Sequence, residues 1–123
     1  MPATTKRPSP TNATSRLPEP TRDEIRVERV LHALSDPIRL RVVTELAAAA
    51  TDLNCLAFEL PVSKSTCTYH FRVLREAGVI HQYPQGTSRM NSLRSDDLRE
   101  LFPGLLDSAI QGARDQWLRL TGS

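Results

Sequence analysis

Lys64, Thr68, Arg72 and Arg75 recur at helical spacing, with Ser65 and Tyr69 alongside them, and no acid interrupts this row until Glu76. Cations, hydroxyls and one aromatic ring on one stripe of a helix suit a surface that meets phosphates and base edges. The same row also reads as an ordinary solvated face. The opposite stripe, Cys67, Phe71 and Leu74 with Ala77 beside them, is apolar at i, i+4, i+7 spacing and predicts the side turned to a core. Ser63 is placed to cap the start of this helix, and Gly78 to close its end in a left-handed conformation. The predicted helix covers residues 63–77.

Other elements must hold that helix. Thr21, followed by Asp23 and Glu24, predicts a helix start, and Val27, Val30, Leu31 and Leu34 give it one apolar stripe. Asp36 and Pro37 begin a second helix, with Ile38, Val42, Val43 and Leu46 inward. A third, short helix is expected from Thr51 and Asp52, turning Leu53, Leu56 and Leu60 to the core and ending at Pro61. Only Pro61 and Val62 separate it from the Ser63 helix, so the two must cross sharply, as in a helix-turn-helix. Residues 79–93 then predict two strands around a turn at Pro84, Gln85 and Gly86, a wing. A last helical region from Ser95 to about Leu120 is broken at Pro103 and Gly104. Its apolar residues are Leu105, Leu106, Ala109, Ile110, Ala113, Trp117 and Leu118.

The net charge of +2 is too small to indicate a partner, but its distribution is informative. From Ser63 to Arg94, five cations (Lys64, Arg72, Arg75, Arg89, Arg94) face one acid, Glu76, whereas acids predominate from Ser95 onward. A basic middle fits one nucleic-acid face. Residues 1–20 hold five of the nine prolines and little that could form a core, which predicts a disordered tail ahead of a domain over residues 21–120. Lys6, Arg7 and Arg16 leave this tail basic, and it reads equally as a passive extension or as a DNA-contacting arm. No apolar run is long enough to span a bilayer and no secretory signal is evident, so a cytoplasmic location with both cysteines reduced is expected. No glycine-rich phosphate loop, nucleophile–base set or zinc-hydrolase spacing is present, so the chain does not read as an enzyme.

Two separated motifs then resemble one family. Leu34, Ser35, Asp36, Pro37, Ile38, Arg39, Leu40 and Arg41 form the first. The second comprises Ser63, Ser65, Thr66, Thr68, His70, Phe71, Leu74, Arg75, Glu76, Ala77 and Gly78. In this order, and followed by a wing, they are similar to the ArsR/SmtB winged helix-turn-helix repressors over roughly residues 22–106. The resemblance implies a mainly α fold with a small β-hairpin wing and a homodimer formed through the first and last helices. It also implies an inverted-repeat operator DNA that is released when an inducer binds.

On that match Lys64, Ser65, Thr66, Thr68, Tyr69 and Arg72 are assigned to the DNA face, and Arg89 to a flanking contact from the wing. Lys64 and Arg72 suit phosphates; Thr68 and Tyr69 suit base edges. Tyr69 stands where the family often carries histidine, which leaves the base sequence open. Arg39 and Arg41 are expected to pack or pair within the domain.

Many relatives bind a metal, but the last helix here has no histidine, and the expected third helix has a lone Cys55 in place of a Cys-x-Cys. The remaining candidate ligands for zinc or nickel are Cys55, Cys67 and His70, with His32 and His81. Cys67 and His70 lie three apart, although Cys67 also continues the apolar stripe and His70 reads as packed beneath its helix. Cys55 is the better redox candidate. The incomplete metal motifs leave room for a co-regulator protein, or for an interaction module that uses the fold without reading DNA.

Overall fold

A computed structural model describes residues 17–49 and 51–122. It contains five α-helices and one small antiparallel sheet: α1 (Val27–Leu34), α2 (Pro37–Ala48), β1 (Leu53–Asn54), α3 (Lys64–Ala77), β2 (Ile80–Gln85), β3 (Ser88–Leu93), α4 (Ser95–Leu101) and α5 (Leu105–Thr121).

Thr21 does start ordered structure, though not α1. Its N–H donates to Glu24 Oε1 at 2.9 Å and its carbonyl accepts from the Glu24 N–H, closing a 3-10 turn over Arg22–Glu24. Ile25, extended and buried, interrupts the helix, and α1 begins only at Val27. Asp36 caps α2 as expected, its carboxylate accepting from the N–H of Ile38 at 2.8 Å and of Arg39 at 3.1 Å, with Pro37 in the first turn.

The expected third helix shrinks to one 3-10 turn, Cys55–Phe58. Leu53 and Asn54 are drawn instead into a strand, paired with Asn91 and Met90 of β3. Between that strand and Pro61 only a single turn fits, and Asn54 caps it by accepting from the Ala57 N–H at 3.1 Å. The shift changes which side chains point inward. Leu56, expected in the core, is 85% exposed, while Phe58 is 1% exposed and meets the Phe71 ring at 5.4 Å.

The wing is a three-stranded sheet of order β1-β3-β2 rather than a lone hairpin. Its tip also differs from expectation. Pro84 and Gln85 belong to β2, and Gly86 (φ +64°) with Thr87 makes the turn, since Gln85 pairs with Ser88. Pro84 is tolerated because β2 lies at the edge, where a missing N–H breaks no ladder.

Val30, Val42, Val43, Phe58, Phe71, Leu74, Val79, Ile80, Leu98 and Leu106 form one core beneath these elements. α4 and α5 break around Pro103 and Gly104 (φ +85°), and Arg99 pairs bidentately with Asp107 across the break, at 3.0 and 2.9 Å.

Candidate nucleic-acid interface

The predicted limits of the recognition helix hold. Ser63 Oγ accepts from the Thr66 N–H at 3.2 Å, and Gly78, at φ +86°, ends the helix with its N–H on Leu74 and Arg75 carbonyls. The buried side is His70, Phe71, Leu74 and Ala77. The outer side carries Lys64, Ser65, Thr68, Tyr69 and Arg72, all exposed, as one continuous row.

Thr66 is exposed too, one turn before Tyr69 at the edge of the row. Its hydroxyl accepts from Ser63 Oγ at 2.9 Å within the cap. Thr68 Oγ1 donates back to the Lys64 carbonyl at 3.0 Å. The Arg72 guanidinium lies over the Tyr69 ring at 5.5 Å, so the cation and the ring stand as one unit. Arg89, exposed on β3, completes the outward cations from the wing.

Two cations counted on the basic face belong inside. Arg75 is 6% exposed: its Nε donates to the Pro18 carbonyl at 2.9 Å and its Nη1 to Gln82 Oε1 at 2.7 Å. Arg94, also 6% exposed, donates to the Pro20 carbonyl at 2.7 Å and pairs with Asp97 at 2.9 Å. The residues they hold correct the expected tail boundary. Residues 17–20 pack on the domain, whereas the expectation for residues 1–16 lies outside the described residues. Arg39 is internal as expected, donating to the Ala33 carbonyl at 2.8 Å, and Arg41 stacks 5.3 Å from the Trp117 ring.

A buried polar chain links the wing to this helix and was not foreseen. Gln82 Nε2 donates to Asn91 Oδ1 at 2.8 Å, and Asn91 Nδ2 donates to the Leu53 carbonyl at 3.1 Å. The pleat did hold a clue: Gln82 is two residues from the buried Ile80 and therefore shares its inward face.

The metal candidates separate. Cys55 and Cys67 line one open cleft of about 680 Å³ between the helix-turn-helix corner, the first turns of α3 and the wing, together with Lys64, Thr68 and Arg89. Burial, and secondarily the neighbouring Cys55, push the Cys67 thiol up from its ordinary value. His70 turns instead to Arg39, 3.2 Å away. The same His70 Nδ1 lies 3.9 Å from the Asp36 carboxylate that caps α2. His81 is paired with Glu19. Among the described residues no group of three or more His, Cys, Asp or Glu is gathered closely enough to hold a metal ion. No helix among the described residues is long and apolar enough to cross a membrane.

Comparison with known proteins agrees with this geometry. Residues 34–83 match a helix-turn-helix domain family. The uncharacterized HTH-type transcriptional regulator YceK of Bacillus subtilis is 33% identical over 88 residues, which span 70% of this chain and 87% of that protein. The HTH-type transcriptional regulator Rv2034 of Mycobacterium tuberculosis is 34% identical over 74 residues, 60% of this chain and 69% of that protein. Among solved structures, an ArsR-like transcriptional regulator from Rhodococcus sp. RHA1 superimposes with a TM-score of 0.52 at 23% identity, covering 78% of this chain and 86% of that one. The transcriptional repressor BigR from Xylella fastidiosa does so with a TM-score of 0.50 at 22% identity, covering 62% and 85%. The sequence relatives establish the family and the solved structures the fold: the chain belongs to the DNA-binding HTH-type transcriptional regulators, and it shares the winged fold of the ArsR-like regulator it superimposes on.

Proposed function

We propose that the chain acts as a homodimeric repressor that reads an inverted-repeat operator, with one α3 in each half-site. The observation that carries this reading is the uninterrupted outer row of α3, with Arg89 of the wing beside it. Lys64, Arg72 and Arg89 neutralise phosphates and set the register; Ser65, Thr68 and Tyr69 reach the base edges. Two such helices related by a two-fold axis read half-sites about one duplex turn, ~34 Å, apart.

Uncovered apolar side chains on the first and last helices support the dimer. Val27 and Leu31 of α1 are 41% and 50% exposed, and Trp117 and Leu118 of α5 are 48% and 54% exposed. The expected stripes of both helices are present, but a single chain buries only part of each. A partner's matching faces remove the rest from water.

Repression follows from occupancy of the promoter, without any catalytic step, in the cytoplasm where the chromosome lies. The deciding experiment measures anisotropy of a labelled duplex carrying the promoter region upstream of this chain's own gene, with wild type and with Lys64→Ala plus Arg72→Ala. Tight, salt-sensitive binding that the double variant weakens is expected. Equal affinity of the two proteins would refute the assignment of the face.

A further inference from the structure

The cleft between the helix-turn-helix corner, the first turns of α3 and the wing is lined for more than a duplex. It opens beside Lys64, Thr68 and Arg89, which face DNA, yet Leu56, Leu60, Val62 and Pro84 give it a broad apolar surface. The Cys55 and Cys67 thiols lie among them. A sugar–phosphate strand is charged and hydrated, and cations and hydrogen-bond donors hold it. It gains nothing from an apolar floor. Leu56, displaced from the core where the expected third helix shrinks to one turn, stands 85% exposed at this cleft.

The charges there are one-sided. Lys64 and Arg89 come from two different elements, α3 and β3, and neither is in an ion pair among the described residues. Glu59, which is exposed, is the one acid in the lining. Two cations against one acid leave the cleft positive. Its volume of about 680 Å³ falls inside the ~300–1,000 Å³ of small-molecule sites, which likewise combine an apolar lining with a few convergent polar groups. We infer that the cleft binds a small amphipathic anion, an organic acid whose apolar body lies on Leu56, Leu60, Val62 and Pro84 and whose head is held by Lys64 and Arg89. The Arg89 guanidinium offers that head a two-pronged donor, and Lys64 a point charge. Bound there, the acid occupies side chains that the duplex needs, so ligand and operator exclude each other. Release of DNA is then competition for one surface and requires no rearrangement of the fold. That consequence rests on the DNA-binding role proposed above; the binding site does not.

The probe is sodium decanoate, tested on the full chain. Its controls are decylamine, equal in length and opposite in charge, and acetate, which supplies the head alone. The first readout needs no DNA: alkylation of Cys55 and Cys67 by iodoacetamide, followed by mass spectrometry. Decanoate is expected to protect both thiols, and acetate and decylamine to leave them reactive. The second readout is anisotropy with a duplex selected from a random-sequence pool by the wild-type chain. Decanoate should raise the apparent Kd in proportion to its concentration, the mark of competition. Leu56→Ser, which removes a side chain outside both the core and the DNA-facing row, should weaken decanoate by about tenfold in both readouts. Its DNA affinity without decanoate should hold. Equal protection by decylamine overturns the inference, because the cations then play no part. Protection that Leu56→Ser leaves unaltered also overturns it, since the apolar body then lies elsewhere. Thiols left reactive at millimolar decanoate overturn it whatever the duplex does, and leave the recognition-helix assignment standing. Protected thiols with an unmoved Kd overturn the competition. Protected thiols in a chain that selects no duplex support the site and overturn the DNA-binding role instead.

Discussion

Arg75 Nη1 donates to Gln82 Oε1 at 2.7 Å inside the domain, and this bond sets the direction of a whole buried chain. A guanidinium only donates, so the Gln82 oxygen must face it and the amide nitrogen must face Asn91. Asn91 then has its own nitrogen free to meet the Leu53 carbonyl. One obligate donor thus orients two amides and joins α3, β2, β3 and β1.

Replacing Gln82 by Leu breaks that chain at its centre, leaving Arg75 Nη1 and Asn91 Oδ1 without their partner. Each orphaned buried group costs about 1–3 kcal/mol. The melting temperature should fall by roughly 4–8 °C for each kcal/mol in a domain of this size. Replacing Asn91 by Leu as well should cost less than the sum of the two single changes, because Asn91 Oδ1 and Gln82 Nε2, each orphaned in one single variant, are both gone. Strict additivity in denaturant unfolding would show that the residues do not act as a chain.

Arg72 and Arg75 lie on one helix and should behave differently. Arg72→Ala should lower the salt slope of DNA binding by about 0.9 per half-site with little change in stability. Arg75→Ala should melt the protein earlier and, below its melting range, leave that slope unchanged. Thr68→Ala and Tyr69→Ala should instead relax preference at individual base pairs by about 1–3 kcal/mol. A uniform loss across all duplexes would move those two residues to the phosphate-contacting class.

This distinction marks where the sequence stops being legible. The limits of α3 were readable because they are local: a serine cap, a glycine stop and an apolar stripe between them. The inward turn of Arg75 was not, because helical spacing puts it beside Thr68 and only the packed Pro18 and Gln82 reveal that its side is covered. The third helix failed for a related reason. Leu53 and Asn54 are claimed by a partner strand at Met90 and Asn91, far along the chain, where no short-range pattern registers. The exposure of the outer row was legible because exposure needs no partner.

The apolar residues left on α1 and α5 give a direct test of assembly. Leu31→Asp together with Leu118→Asp should convert a dimer into a monomer at micromolar concentration in sedimentation, with the helical signal retained. DNA affinity should fall steeply, since half-sites are then bound singly. A wild-type chain that sediments as a monomer would remove the two-fold operator from the proposal.

The thiol of Cys67 gives a pH prediction. Burial, and then Cys55, raise its ionisation above the ordinary value, and the thiolate is the reactive form. Alkylation at neutral pH should therefore be slower than for an unstructured cysteine peptide, and should climb only at higher pH. The linked stability has the same sign: folding favours the protonated thiol, so this contribution is intact below the unfolded value and is lost as pH rises through the folded one. A bound duplex should slow the reaction further, because Lys64, Thr68 and Arg89 line the same cleft. Mass spectrometry across a pH series reads both effects, and a profile matching the free peptide would contradict the buried environment.

The segment over residues 17–20 is gripped mainly by its main chain: Arg75 and Arg94 hold the carbonyls of Pro18 and Pro20. A carbonyl is the same in every residue, so most side chains of this segment can be exchanged while its path over the wing persists. The two arginines have no such freedom. The sequence of this segment can therefore drift while its two clasps cannot, a path recorded in the residues it lies against rather than in its own.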